Sequence, residues 1–369
     1  MEKKQPHDNE GSRVGSRIEI SRRTFLHKTL LTGGAVAGAG LFQTFTTMNV
    51  AHAATESFSF AWVSDTHLYP KTLNTRFIEK AGRAFKEIQD MGSSFDFMLF
   101  GGDLAQKGDP VELQLGVEML NEITSVEKHF IPGEHDWYLD MGEAWNGHFG
   151  ESPWMFDHKG VRIIGLNTVG HAPDYWSAKG MSPKERMGHM EALDGSQAGP
   201  WSGLGKEQRM WLQTALSDVA KDAPIIIFSH TPLYEVYPGW NFWIRDWRQV
   251  HEIIGPYSNI TNIHGHVHQP LYHETEGARF IGMLATSWPW PYPPTGVPAL
   301  TRPMIRVDPG DIFDGVGWGK FDYADGHASE EYKMWRNEVF AVAQHDSGTG
   351  DNGNQILTPR IADRDWTGN

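Results

Sequence analysis

The chain contains no cysteine. That absence excludes disulfides, thiolate nucleophiles, iron-sulfur clusters and any zinc site built on Cys, so a metal must be held by His, Asp, Glu or neutral oxygen and nitrogen donors. Positive charge is also scarce: 32 Lys and Arg stand against 46 Asp and Glu, a formal net charge of -14. Such a balance repels polyanions, so a long nucleic acid is not an expected partner. No stretch beyond residue 53 approaches the roughly 20 apolar residues of a membrane span, and the mature chain is expected to lack one. What is present is an apolar content of 39% over 369 residues. This is enough for a sizeable core in one large domain or two ordinary ones.

The first 53 residues read as an address. A polar lead of twenty residues precedes Ser21-Arg22-Arg23-Thr24-Phe25-Leu26-His27-Lys28, a mildly apolar Gly/Ala-rich run extends from Thr29 to Met48, and Ala51-His52-Ala53 supplies a small-x-small cleavage site. Charged region, apolar region and cleavage site in that order describe a secretory signal. Its S-R-R-x-F-L-x-K core resembles the bacterial twin-arginine (Tat) export signal, which implies the Tat translocase as a partner during export and a periplasmic or secreted destination. Removing the address leaves 25 basic against 42 acidic residues, a mature charge near -17.

In the remaining chain, short apolar runs alternate with helical patterns. Phe58 to Val63 ends at Ser64-Asp65-Thr66-His67 and is followed by Phe77, Ile78, Ala81, Ala84, Phe85, Ile88 and Met91 at helical spacing, stopped by Gly92. Phe95 to Phe100 ends at Gly101-Gly102-Asp103, and Asp109-Pro110 then caps and opens a second helix. A third strand, His129 to Pro132, runs into Gly133-Glu134-His135-Asp136. Val161 to Asn167, Pro224 to Phe228 and Asn259 to Ile263 read as further strands, with a helix over Leu204 to Leu216. Strands separated by helices predict a layered α/β fold whose ligands sit beyond the carboxyl ends of the strands. The segment from His171 to Gly203 has no clear period and is expected to be a surface or lid loop. The tail after about Gln344 is expected to be disordered.

Five polar motifs fall at strand ends. Asp65-x-His67 can aim two donors at one ion, because alternate residues of an extended segment share a face. Asp103 is placed to bridge two ions, and His230 and His266-x-His268 complete a nitrogen- and oxygen-rich set suited to Mn, Fe, Zn or Co. The order D-x-H, GD, GEHD, SH, GHVH resembles the calcineurin-like metallophosphoesterases, over roughly Phe58 to His268, and GLGKEQRMWLQTAL at 203–216 resembles the helix before their SH motif. The resemblance implies a four-layer α/β/β/α sandwich with two mixed sheets, a metallophosphoesterase domain at 54–310 and a partly disordered C-terminal extension at 311–369. It also implies two divalent ions. Asp65, His67 and His268 would hold the first, His230 and His266 the second, and Asp103 both. His135 would be the outer-sphere acid, oriented by Asp136. The reaction implied is hydrolysis of a small phosphomonoester or phosphodiester by a hydroxide shared between the metals. A silenced metal-binding module, or a nuclease or cyclic nucleotide phosphodiesterase, are the alternatives.

Two departures bear on that reading. Glu134 stands where the family places a neutral Asn ligand. It could select an Fe(III)-M(II) pair, shift the substrate toward monoanionic diesters, or swing away and leave its place to water. Gln106 stands three residues after Asp103, where purple acid phosphatases carry Tyr, which disfavours an iron-tyrosinate centre. The aromatic segments 231–247 and 287–294 could stack a base, aryl or sugar group or serve as rigid loop packing. Arg245 or Arg248 could clamp a phosphate oxygen or form an ordinary salt bridge. Of the histidines outside the motifs, His264 is near enough to the HGHVH loop to support it, whereas His129, His148, His171, His251 and His273 are read as ordinary.

Overall fold

The computed structural model describes residues 55–335, apart from 74, 172–179, 192–199, 237–241, 270, 276, 290–312, 314 and 325, together with short strands at 342–343, 354–355 and 363–365. The address at 1–53 lies outside the described residues.

The elements follow in order as β1 (Phe58–Val63), α1 (Arg76–Met91), β2 (Phe97–Phe100), α2 (Pro110–Asn121), β3 (Glu127–Phe130), α3 (Glu134–Trp137), α4 (Glu143–Phe149), β4 (Trp154–His158) and β5 (Val161–Gly165). Then come α5 (Pro183–Glu191), α6 (Gly205–Ala215), β6 (Ile225–Ser229), α7 (Trp247–Ile254), β7 (Ile260–His264), β8 (Leu271–Thr275) and β9 (Ala278–Gly282). The last are β10 (Gly317–Ala324), β11 (His327–Met334), β12 (Val342–Ala343), β13 (Asn354–Gln355) and β14 (Asp363–Asp365). One sheet has the order β14-β11-β10-β1-β2-β3, the other β4-β5-β6-β7-β9-β8. In the first, β1, β2 and β3 run parallel and β10 pairs antiparallel with β1. In the second, β5, β6, β7 and β9 run parallel and the edges β4 and β8 are antiparallel.

Alternation along the strands sorts side chains into three apolar layers. Phe58, Phe60 and Trp62 of β1 pack with Ile226 and Phe228 of β6 between the sheets, while Ala61 and Val63 face Ala81, Phe85 and Leu113 of α1 and α2. On the far side, Ile225 and Ile227 meet Leu212, Val250 and Ile254 of α6 and α7. Period-two alternation on strands covered on both faces yields this helix, sheet, sheet, helix stacking. The inter-sheet layer is aromatic: the Phe60 ring stacks on Phe321 at 4.7 Å and Phe97 at 5.0 Å and meets Phe228 edge-on at 5.5 Å.

Asp109 caps α2 by accepting from Val111 N, with Pro110 in the first turn, as the sequence predicts. Three segments add to the sequence reading. The segment 171–203 contains α5, a polar helix whose apolar contact is Met187. Ser182 and Glu185 form a reciprocal cap there, Ser182 N donating to Glu185 Oε2 at 2.8 Å and Glu185 N to Ser182 Oγ at 3.4 Å. That S-P-K-E signature is legible in the sequence even though the helix has almost no apolar stripe. Residues from 311 onward, set apart as an extension, include β10 and β11, which hydrogen-bond into the first sheet beside β1. Within the tail, β13 pairs with β12 and β14 with β11; the rest of the tail, expected to be disordered, lies outside the described residues. Among the described residues no helix is long and apolar enough to cross a membrane.

Candidate metal centre

The carboxyl ends of β1, β2, β6 and β7 converge, and the pairing of β1 with β2 continues past both strands. Asp65 N donates to Gly102 O, His67 N to Asp103 O and Leu68 N to Leu104 O, at 2.8 to 2.9 Å. This run places Asp65, His67 and Asp103 side by side. The GEHD motif forms the single helical turn α3. Gly133 admits it to the site: a Cβ there would lie 2.0 Å from Asp103 Oδ1.

Two donor groups share no residue: Asp103, Glu134, His230 and His266 form one, and Asp65, His67 and His268 the other, with the ligand atoms of each group within 4.8 Å of one another; a third group, His67, Asp103 and His135, overlaps both. Asp103 joins them. Its Oδ1 accepts from the His135 backbone N–H at 3.0 Å, while Oδ2 lies 3.2 Å from His230 Nε2 and 3.6 Å from His67 Nε2. Glu134 does not swing away: it is 5% exposed, with Oε1 2.7 Å from His266 Nδ1 and Oε2 3.0 Å from His230 Nε2.

Backbone geometry singles out the same residues. Asp65, His67, Asp103, His266 and His268 all have φ between 45° and 66°, and the only other described non-glycine residues at positive φ are Met141 and Lys159. Left-handed backbone costs a non-glycine residue about 1–2 kcal/mol. Five such residues at one site indicate a constraint stronger than local preference.

The histidines are oriented from behind. His67 Nδ1–H donates to Gln106 Oε1 at 2.9 Å and His230 Nδ1–H to Gly101 O at 2.8 Å, so Nε2 is the nitrogen each ring turns into the site. The buried carboxylate of Asp136 accepts from the N–H groups of Leu104, Ala105 and Gly133 and ties the GGD loop to α3. The His135 ring is held by Nδ1–H donating to the main-chain carbonyl of Gln106. Gln106 therefore positions both histidines, a role that sequence reasoning missed; its spacing after Asp103 was the available signal.

Protons and charge are shared unevenly across this cluster. Burial would lower His230, yet the carboxylates of Asp103 and Glu134 raise it well above the ordinary histidine range. Asp103 is raised by burial and by the charge of Glu134. Glu134 is held low, because His266 and His230 outweigh its burial. Burial lifts Asp136 to about 7. Burial also takes His264 down to about 4; His264 is wholly buried at the end of β7 and contacts the carbonyl of Gly265 through Nδ1.

The donor set fits metal ions. Buried Asp65 Oδ2, Glu134 Oε2, His230 Nε2 and His266 Nε2 have no aligned hydrogen-bond partner, although His230 Nε2 has carboxylate oxygens at 3.0 and 3.2 Å. Donor atoms gathered this closely can be shared by a common ion. In a protein interior, where polar groups are nearly always paired, such a set is characteristic of ligands.

A sequence profile of the calcineurin-like phosphoesterases matches residues 58–270. The chain belongs to the calcineurin-like phosphoesterase family. It is accordingly a metal-dependent phosphoester hydrolase of a family that uses binuclear centres, with clustered Asp, Glu and His side chains of the kind that hold them. The 3',5'-cyclic adenosine monophosphate phosphodiesterase CpdA of Haemophilus influenzae is 24% identical over 235 residues, covering 61% of this chain and 74% of that protein. In fold, this calcineurin-like chain is similar to a dimetal phosphatase from Danio rerio (TM-score 0.51, 13% identity, 77% of this chain and 98% of that one). It is similar also to a purple acid phosphatase from yellow lupin, Lupinus luteus (TM-score 0.54, 13% identity, 78% of this chain), of which it spans 53%.

Of the aromatic segments, Trp288 sets its ring edge against His67 at 4.8 Å and stacks on Phe77 at 5.0 Å. Phe242 meets His266 edge-on at 5.1 Å. These two rings pack against the site histidines; residues 237–241 and 290–294 lie outside the described residues. Arg245 donates to the carbonyl of His171 at 2.6 Å, and exposed Arg248 faces Glu235 at 3.9 Å, the latter an ordinary salt bridge.

Proposed function

We propose that the chain is an exported phosphoesterase that hydrolyses a small phosphate monoester or diester at a pair of metal ions. In this reading Asp65, His67 and His268 hold one ion, Glu134, His230 and His266 the other, and Asp103 both. The observation that carries it is Asp103 Oδ2, poised between His230 and His67 while Oδ1 is occupied by a backbone N–H. When bound, two cations polarise the phosphoryl oxygens and make a nucleophilic water available near neutral pH.

The side chains supply the rest. Gln106 and the Gly101 carbonyl fix the tautomers of His67 and His230. Asp136 ties the loops that carry Asp103 and Glu134. His135 has its Nδ1–H committed to a carbonyl, so a further proton on Nε2 makes it the imidazolium, the form that can protonate a departing alkoxide. The hard oxygen and nitrogen donors suit Mn, Fe, Zn or Co. A small substrate accords with the acidic mature chain and with the cyclic diester for which the Haemophilus influenzae relative is named. Export rests on the Arg22-Arg23 segment and its cleavage site, with the Tat translocase as carrier and the periplasm or medium as destination.

The test expresses the full chain with its own leader and measures localisation, metal per chain, and hydrolysis of p-nitrophenyl phosphate and bis(p-nitrophenyl) phosphate. About two ions per chain and turnover of at least one ester are expected, with Asp103→Asn losing both properties. Turnover of neither ester at full metal loading would reject the hydrolase reading. Replacing Arg22 and Arg23 by Lys should hold the chain in the cytoplasm; unchanged export would reject the twin-arginine reading.

A further inference from the structure

We infer that Glu134 sets the charge of substrate this centre accepts, favouring monoanionic phosphodiesters over dianionic phosphomonoesters. The inference rests on the two-metal reading above and deepens it.

Glu134 opens α3 immediately after Gly133 and is nearly sealed from solvent, with a side chain 7% exposed. Both its oxygens point inward, Oε1 to His266 Nδ1 at 2.7 Å and Oε2 to His230 Nε2 at 3.0 Å, and Oε2 has no aligned hydrogen-bond partner. A side chain serving only as packing or as a surface charge would not bring a carboxylate between two histidines beside a third group, Asp103, whose Oδ2 is 3.2 Å from His230. Glu134 is thus a third carboxylate in the centre, with Asp65 and Asp103. The ion pairs that these three carboxylates make at the site are with histidines.

The consequence is a matter of counting charge. Two divalent ions against three carboxylates leave +1, whereas a neutral amide at position 134 would leave +2. An alkyl phosphate carries close to two negative charges above its second pKa near 6, and a diester carries one. At contact range a unit charge changes affinity by about tenfold or more even at an effective dielectric constant of ~20. The dianion feels the missing unit twice and the monoanion once. Glu134 therefore lowers monoester affinity relative to diester affinity by about tenfold or more.

The experiment uses apoprotein of the wild type, E134Q and E134D. Each is titrated with Mn(II) by calorimetry, and the protein with both sites filled is then titrated with methyl phosphate and with dimethyl phosphate. The expected result is weaker uptake of one Mn(II) by E134Q, and a methyl phosphate to dimethyl phosphate affinity ratio that rises tenfold or more in E134Q. E134D, which keeps the charge, should stay near the wild-type ratio. An unchanged ratio in E134Q with two ions bound would overturn the inference, as would an E134D ratio that moves with E134Q. Wild type that binds two ions and hydrolyses neither aryl ester rejects the hydrolase reading alone, because the affinity ratio still decides the role of Glu134. Wild type that binds no metal overturns both.

Discussion

Replacing Gln106 by Leu should separate the two metal groups. Gln106 is 5% exposed and His67 is 3% exposed, and the bond from His67 Nδ1–H to Gln106 Oε1 is 2.9 Å long. Leucine has comparable bulk but no acceptor, so the N–H remains buried and unpaired at a cost of about 1–3 kcal/mol. The imidazole can escape by moving its proton to Nε2, which then points at His268 Nε2, 3.2 Å away, and no longer offers a lone pair. Loss of a supporting partner of this kind lowers metal affinity by about 10–100-fold. At about 1.4 kcal/mol per decade that is roughly 1.4–2.8 kcal/mol, which agrees with the desolvation figure. His135 should stay in place, because its partner is the main-chain carbonyl of residue 106. Calorimetric titration of apoprotein with Mn(II) should therefore show one step weakened and the step assigned to Glu134, His230 and His266 little changed. Gln106→Glu, which restores an acceptor, should recover most of the loss. Wild-type affinity in both steps, or equal losses in both, would refute the reasoning.

Gly133→Ala should lower the melting temperature of the apoprotein by several degrees, because its Cβ would fall 2.0 Å from Asp103 Oδ1 and such overpacking costs about 1–3 kcal/mol; an unchanged melt would show that the loop relaxes. Phe60→Ala removes a fully buried ring from the inter-sheet layer and should cost about 3–5 kcal/mol in denaturant unfolding, with metal per folded chain unaltered. Asp96 supplies a pH dependence remote from the site. Partial burial tends to raise its pKa, but Lys159, the Ser59 N–H and His158 hold it below the ordinary 3.8. A depressed carboxyl contributes stability that is complete above its unfolded pKa and is lost as pH falls through the folded value. Asp96→Asn should therefore flatten the acid limb of stability below about pH 4, measured as melting temperature against pH, while melting near pH 7 is already lowered by the missing contacts. An acid limb as steep as that of the wild type would exclude this contribution.

The broad architecture is legible in the chain because strands covered on both faces are continuous apolar runs and the helices between them carry a stripe. FSFAWV, IIIFS and the Asp109-Pro110 start all occur where that reading expects them. The motif residues Asp65, His67, Asp103, Glu134, His230, His266 and His268 are likewise legible, since each follows a strand and each is of a type that binds metal. Helix α5 was missed because it has almost no apolar face, and β10 and β11 because their place in the sheet depends on pairing with β1, some 260 residues earlier in the chain.

What the sequence alone determined is the inventory of donors and their order at strand ends, for those depend only on residue type and local period. Tertiary structure decided how they are shared. It divides the donors into two groups joined by one oxygen of Asp103, commits Glu134 to the interior between two histidines, and sets the His135 ring on the main-chain carbonyl of Gln106. The reason is that these relations hold across strands 30 to 200 residues apart. Hydrogen-bond direction and backbone φ at a loop are set there by the neighbouring strand, and neither can be read along the chain.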